Sequence, residues 1–351
     1  MINNVPVNIR TIVAVTIGGI AILNAAILWF MPRLTRPDLY FAVTVPPGFR
    51  DGTDGKVILG RYRMDLILFS VLAFIVFVAG TVLIGIGFAP AGPMIQIVAG
   101  FLAFYRARNR VLPHATQPTT IREAELRQDN RTTPGGWIAA AGPFVLVALC
   151  AGYLWIHGST PMHGLIVYAL SMTANLTGLT VLRYGLGHWV RPVYSGGPER
   201  TREHQFRRTV AAIVLGAEYY MVIQSSWLLL VPRHHGLISL GLLPLVLVLV
   251  LVVILVLARL GQGGSRLAAG EKSSTASAVA VGDRTPDRYW KLGVFYFNPD
   301  DSAIVVEKRF GLGYSLNFAR PTTWGIVALL LIAPLVSILA HVTGFLVKRG
   351  A

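Results

Sequence analysis

The chain has 351 residues, 54% of them hydrophobic and 13% charged, with a net charge of +15. So apolar a composition excludes a disordered chain, and a single cysteine, Cys150, excludes an intrachain disulfide framework. On a soluble protein this cation surplus would suggest nucleic acid, but no recognition motif accompanies it, and the charges fall between apolar stretches; the expected partners are anionic lipid headgroups, with no nucleic acid.

Eight apolar stretches follow in order: Thr11 to Met31, Met64 to Phe88, Ala91 to Tyr105, Trp137 to Ile156, Gly164 to Leu182, Thr209 to Val231, Leu237 to Ala258 and Thr322 to Val347. Most reach the ~20 residues that a helix needs to cross a hydrocarbon core. The second and third read as a helical hairpin, because only the turn Phe88-Ala89-Pro90-Ala91-Gly92-Pro93 interrupts them. The first is too long for a secretory h-region and lacks a small-residue cleavage site, so it is expected to be retained. The predicted fold is an all-α polytopic membrane bundle of about eight transmembrane helices, with a small cytoplasmic β element of three or four strands.

Charge sets the orientation. Of 31 Lys and Arg residues, 27 lie in alternate connections, among them Arg183 in the third, and only Arg10, Arg233, Lys348 and Arg349 lie on the other side. The positive-inside bias then puts the basic connections in the cytoplasm, with both termini outside. Carboxylates agree, since fifteen of the 16 lie on the same side as the cations and Glu218 lies within a span. Trp29, Trp137, Trp155, Trp227 and Trp324 fall near span ends, where amphipathic rings anchor.

Four regions result: 1–260, seven helices with basic cytoplasmic loops; 261–286, a Gly/Ser/Ala-rich linker; 287–321, a β-meander; and 322–351, the last helix and outer C-terminus. The meander is expected from strands at Tyr289 to Phe297, Ala303 to Lys308 and Tyr314 to Phe318, with turns at Asn298-Pro299-Asp300-Asp301-Ser302 and Phe310-Gly311-Leu312-Gly313. So small a core needs support, and the β-favouring run Leu39 to Val45 in the first loop is expected to join it in one sheet. The side chains offered for partner contact are Trp290, Tyr296, Asn298, Asp300, Asp301, Arg309 and Asn317.

Asp287-Arg288-Tyr289-Trp290, Gly293-Val294-Phe295-Tyr296-Phe297-Asn298-Pro299-Asp300-Asp301 and the run from Val306 to Pro321 resemble a C-terminal domain of unknown function in uncharacterised bacterial polytopic membrane proteins. The stretch from Met31-Pro32-Arg33-Leu34 to Gly48-Phe49-Arg50-Asp51 more loosely resembles a domain of the SdpI-like immunity and signalling membrane family. These resemblances imply a bacterial setting and no known activity, and they bring no established catalytic residue.

Two groups of polar residues carry the chemistry. Glu218 lies about nine residues, or ~14 Å, inside its helix, where an ionisable side chain suggests a proton relay, a cation ligand or a substrate contact. The alternative is a protonated carboxyl hydrogen-bonded between helices, expected because the only nearby charges in sequence are Arg207 and Arg208; an ionised carboxylate, which would imply a buried cation or an arginine partner from another helix, would instead favour transport. Ser225, Gln224, Asn175 and Asn24 either line a polar cavity with Glu218 or join helices pairwise. On the outer side, His157, His163, His234, His235 and His341, with Met162 beside His163, suit metal binding, pH sensing or plain interface polarity.

The sequence thus supports a non-enzymatic sensing, regulatory or immunity-type membrane protein acting through its β element. A small-solute or ion transporter using Glu218 is second. A lipid-modifying enzyme is third, resting on His188, Arg183, Arg191, Glu199, Glu203 and His204. No catalytic motif and no required cofactor are evident.

Overall fold

The computed structural model describes residues 7–35, 38–83, 88, 91–116, 136–157, 161–190, 197–230, 245–264, 285–332 and 335. Helices dominate: α1 (Val7–Leu34), α2 (Thr53–Leu83), α3 (Ala91–Val111), α4 (Gly136–Ile156), α5 (Met162–His188), α6 (Gly197–Leu230), α7 (Leu245–Leu260) and a shorter α8 (Pro321–Ile332). Six of them, α1, α2, α4, α5, α6 and α7, are long and apolar enough to cross a membrane. Their outer faces say the same: Leu68, Leu72, Phe74 and Ile75 on α2, or Val248, Val252 and Leu255 on α7, are exposed. An apolar surface of that extent suits a lipid environment. Among the expected spans, α3 is less apolar and ends in Arg106, Arg108 and Arg110, and α8 is described only to Ile332.

The helices pack in two groups. In the first, α1 meets α2, α3 and α7, and α2 lies along α3; in the second, α4, α5 and α6 meet pairwise. Without a hydrophobic drive inside lipid, close packing needs small residues at the contact. Gly142 shows this on α4, since a Cβ there would stand 1.9 Å from Tyr219 Oη of α6, which donates to Ala139 O at 3.0 Å.

A β-containing element, here called the cap, covers the basic ends of both groups. It contains three separate antiparallel pairs, which correct the expectation of a single three- or four-stranded sheet: β1 (Leu39–Tyr40) with β2 (Val43–Thr44), β3 (Trp290–Lys291) with β4 (Phe295–Tyr296), and β5 (Val305–Glu307) with β6 (Tyr314–Leu316). The expected first strand, Tyr289 to Phe297, folds back on itself because Leu292 and Gly293 adopt φ of 54° and 80°. Isolated β-bridges join Tyr296 to Asn317 within the cap and Val305 to Val190, just past the end of α5.

The Leu39–Thr44 hairpin does dock on the C-terminal segment, but through side chains. Its turn residues Phe41 and Ala42 have φ of 45° and 62°, a conformation that normally selects Asn or Gly. Both are fully buried, and the surroundings hold them there. The Phe41 ring packs against Tyr62 of α2 and stacks on Phe310 at 5.8 Å, while Phe104 of α3 touches Phe310 at 4.4 Å. Arg108 Nη1 donates to Ala42 O at 2.7 Å, and Arg309 Nη1 reaches the same carbonyl at 3.4 Å. Tyr40 donates from Oη to Gly55 O at 2.9 Å, and burial, eased by Arg50, pushes its phenol up to about 12.

On the second group, Val305 N donates to Trp189 O at 3.2 Å, and the Tyr314 ring lies 5.9 Å from Phe206 of α6. The start of the expected linker is also structured. Gln262, buried in a 3-10 turn (Gln262–Gly264), donates to Gly313 O at 3.0 Å and accepts from Gly313 N at 2.8 Å. The cap therefore ties the two helix groups together at one end.

Candidate functional site

Glu218 does not stand alone. The buried seam of α6 repeats at Ala211, Glu218 and Val222, so the carboxyl points into the α4–α5–α6 group with no exposed surface. There it meets Arg183 of α5, whose Nε lies 3.4 Å from Glu218 Oε1 and whose side chain is 1% exposed. Thr180, one turn before Arg183 on the same face of α5, brings its hydroxyl to the carboxyl as well. Arg183 is thus a cation near Glu218 in space though not in sequence, and it belongs to a helix instead of a loop: α5 runs five residues past it to His188.

The pair is close but not hydrogen-bonded. Thr180 Oγ1, Arg183 Nε and Nη1, and both Glu218 carboxyl oxygens are buried without a hydrogen-bond partner among the described residues. Buried polar atoms left so are costly and uncommon, and they cluster where a site must change its hydrogen bonds. Chemically the arrangement offers guanidinium donors and carboxylate acceptors in one dry place, suited to a small polar solute or to a proton exchanged between two states of the pair.

The other intramembrane candidates are dispersed. Ser225 lies two turns from Glu218, ~10 Å along α6, and donates to Met221 O at 2.6 Å. Asn175 Nδ2 donates to Ser171 O at 3.2 Å on its own helix. Gln224 is half-buried on α6, and Asn24 is half-buried on α1 in the other helix group. A hydrogen bond between helices comes instead from Tyr168 and Ser226, 2.8 Å apart.

Of the outer candidates, His157 stacks on Tyr153 and its Nδ1 lies 2.9 Å from Tyr153 O, while Met162 and His163 are exposed at the start of α5. His234, His235 and His341 lie outside the described residues. Among the described residues no three His, Cys, Asp or Glu side chains gather as metal ligands. The enzyme-like grouping is also split: His188 stacks on Tyr184, Arg183 faces Glu218, and Glu203 hydrogen-bonds Arg207.

The candidates in the cap build its interior. Asn317, fully buried, donates from Nδ2 to Asn298 O, Asp301 O and Ala303 O at 2.9, 3.2 and 3.1 Å, and its Oδ1 accepts from Asn298 N and Ala319 N at 3.1 and 3.2 Å. Asn298 Nδ2 donates to Tyr296 Oη at 3.1 Å, and Tyr296 Oη donates to Asp301 Oδ2 at 2.8 Å. Arg309 is buried against Asp287 and the Thr285 carbonyl, with its guanidinium 5.5 Å from the Trp290 ring centre. Asp300 is exposed in the turn. Tyr314 lies between the cap and α6, where burial raises its phenol far above the usual range and Arg207 works in the opposite direction.

That network coincides with a match to a known family model. Residues 299–324 match a family of unknown function, DUF5808. The match fits an uncharacterised C-terminal domain, and it covers the β5–β6 pair, Arg309, Asn317 and the start of α8. No curated protein and no solved structure matches the chain. The DUF5808 segment is thus the part of the cap that Asn317 organises and that contacts both helix groups.

Sequence reasoning missed Arg183, Thr180 and Arg108 as partners. The available signal was a lone arginine bordering one apolar run and a lone acid inside another; spans packed side by side bring such charges within reach.

Proposed function

We propose that this chain is a non-enzymatic sensing or regulatory protein of the bacterial inner membrane, of immunity or signalling type, in which the cap and the Arg183–Glu218 pair respond to one another. One observation carries this reading. The two helices that share the buried pair also contact the DUF5808 segment, α5 through Val190, just past its end, against Val305 and α6 through Phe206 against Tyr314. Rigid helices transmit a shift at one end to the other, so a change in the pair biases the cap. The cap faces the cytoplasm in this reading, beside anionic headgroups and a protein partner, with α3 and α8 completing eight spans and both termini outside.

Glu218→Gln should raise amide hydrogen exchange at 304–307 and 314–318 several-fold while leaving α2 unchanged. Unaltered exchange in the cap would sink the coupling. The orientation has its own test. Single cysteines at position 236 should label from outside intact cells and those within 265–284 should not; the opposite pattern reverses every side assignment.

A second reading, ion or small-solute transport through Glu218, is favoured by the unpartnered polar atoms around the pair. Proton flux into proteoliposomes that is lost in Glu218→Gln would establish it over the first.

A further inference from the structure

We infer that the groove between α1, α3 and the cap is a binding site for a single anionic phospholipid, with its headgroup at Lys308 and an acyl chain along α3. The groove has a volume of about 350 Å³, within the range of small-molecule sites. Its floor is apolar, formed by Leu28 and Met31 of α1 and by Ile97, Phe101 and Phe104 of α3, and its other wall is formed by Trp290, Val294 and the run Lys308 to Leu312.

Two observations identify the occupant. The first is the direction of polarity. Ile97 lies seven residues before Phe104, about 10 Å farther from the cap along the helix, and it is 50% exposed. With the membrane placement proposed above, the groove runs from hydrocarbon toward the polar cap, matching a molecule with a tail and a head. The second is charge. Lys308 stands at the rim with an exposed side chain, yet enough protein surrounds its ammonium to push its pKa below the usual lysine value by desolvation. An anion beside it offsets that desolvation. Arg309 is already engaged by Asp287 and the Thr285 carbonyl, so Lys308 is the cation at the rim.

The site differs from a diffuse attraction between basic loops and headgroups because it has a shape and a depth. It depends on the membrane placement proposed above, but not on coupling between the cap and the Arg183–Glu218 pair.

The test uses the full chain in phosphatidylcholine vesicles doped with a phosphatidylglycerol carrying a diazirine on its acyl chain, with adducts mapped by mass spectrometry. Adducts are expected at 97–104 and 290–312, several-fold above those from the matched diazirine phosphatidylcholine. Lys308→Glu should lower them about fivefold, the contribution of one basic residue beside anionic lipid. Ile97→Trp, at the exposed mouth, should lower them with both headgroups while the cap's amide exchange stays unchanged. Equal labelling by the two lipids, or labelling indifferent to Ile97→Trp, overturns the site. Full competition by water-soluble glycerol phosphate also overturns it, since the ligand would then be a soluble anion with no need of the apolar floor.

Discussion

Glu218→Met is expected to remove about 3–5 kcal/mol of folded-state stability, and Arg183→Met distinctly less. Both side chains are almost completely buried, so neither can reach water when its partner is removed. Their chemistry differs in one respect. A carboxyl left alone escapes its charge by binding a proton, whereas a guanidinium cannot release one. The double variant Arg183→Met with Glu218→Met should recover much of the loss, because replacing a buried ion pair by apolar side chains of similar volume is often neutral. Denaturant-induced unfolding in detergent, followed for the four proteins in parallel, measures the cycle. Equal losses for the two single variants would mean that the carboxyl left by Arg183→Met does not escape its charge by binding a proton. A double variant that folds but leaves the cap unresponsive would separate the proposed coupling to the cap from the pair's contribution to stability.

Asn317→Ala should have an effect of the same order, about 3–5 kcal/mol concentrated in the cap. One amide serves five backbone groups there, and truncation leaves the N–H groups of Asn298 and Ala319 and the carbonyls of Asn298, Asp301 and Ala303 without that partner. Of these, Asp301 O keeps a second donor, Arg320 Nε at 2.8 Å. Asn317→Asp keeps the acceptor and loses the donors, so it should fall between wild type and alanine. Amide exchange at 298–303 and 319 would follow the loss residue by residue. Exchange unchanged in Asn317→Ala would mean that the turn is held by its strands alone.

The helical scaffold was legible because long apolar runs have few alternatives, as α2 and α7 show. The strands were legible only as regions. Tyr289 to Phe297 has the composition of a strand, and its one interruption, Gly293, marks the turn that folds it into a hairpin. Leu39 to Val45 gave no such mark, since Phe41 and Ala42 are poor choices for a left-handed turn. Their conformation comes from arginines 108 and 309 on the Ala42 carbonyl and from three aromatic neighbours, all distant in sequence. Glu218 stood out for the opposite reason, an isolated acid in an apolar run. Its partner did not, because Arg183 sits where a span and a loop look alike in composition.

The reach of the Arg309–Ala42 contact bears on how the protein is made. The two residues are 267 positions apart, and at about 5–20 residues per second a ribosome needs tens of seconds to go from one to the other. Throughout that interval α1, α2 and α3 can already be inserted while the Phe41 ring and the Ala42 carbonyl lack Phe310 and Arg309. The nascent chain therefore carries an apolar wound at the membrane surface that only the end of synthesis closes. A chain cut short before residue 285 keeps six membrane-competent helices and still displays that wound. Quality-control proteases that sample the membrane surface would find there a means of telling finished molecules from truncated ones.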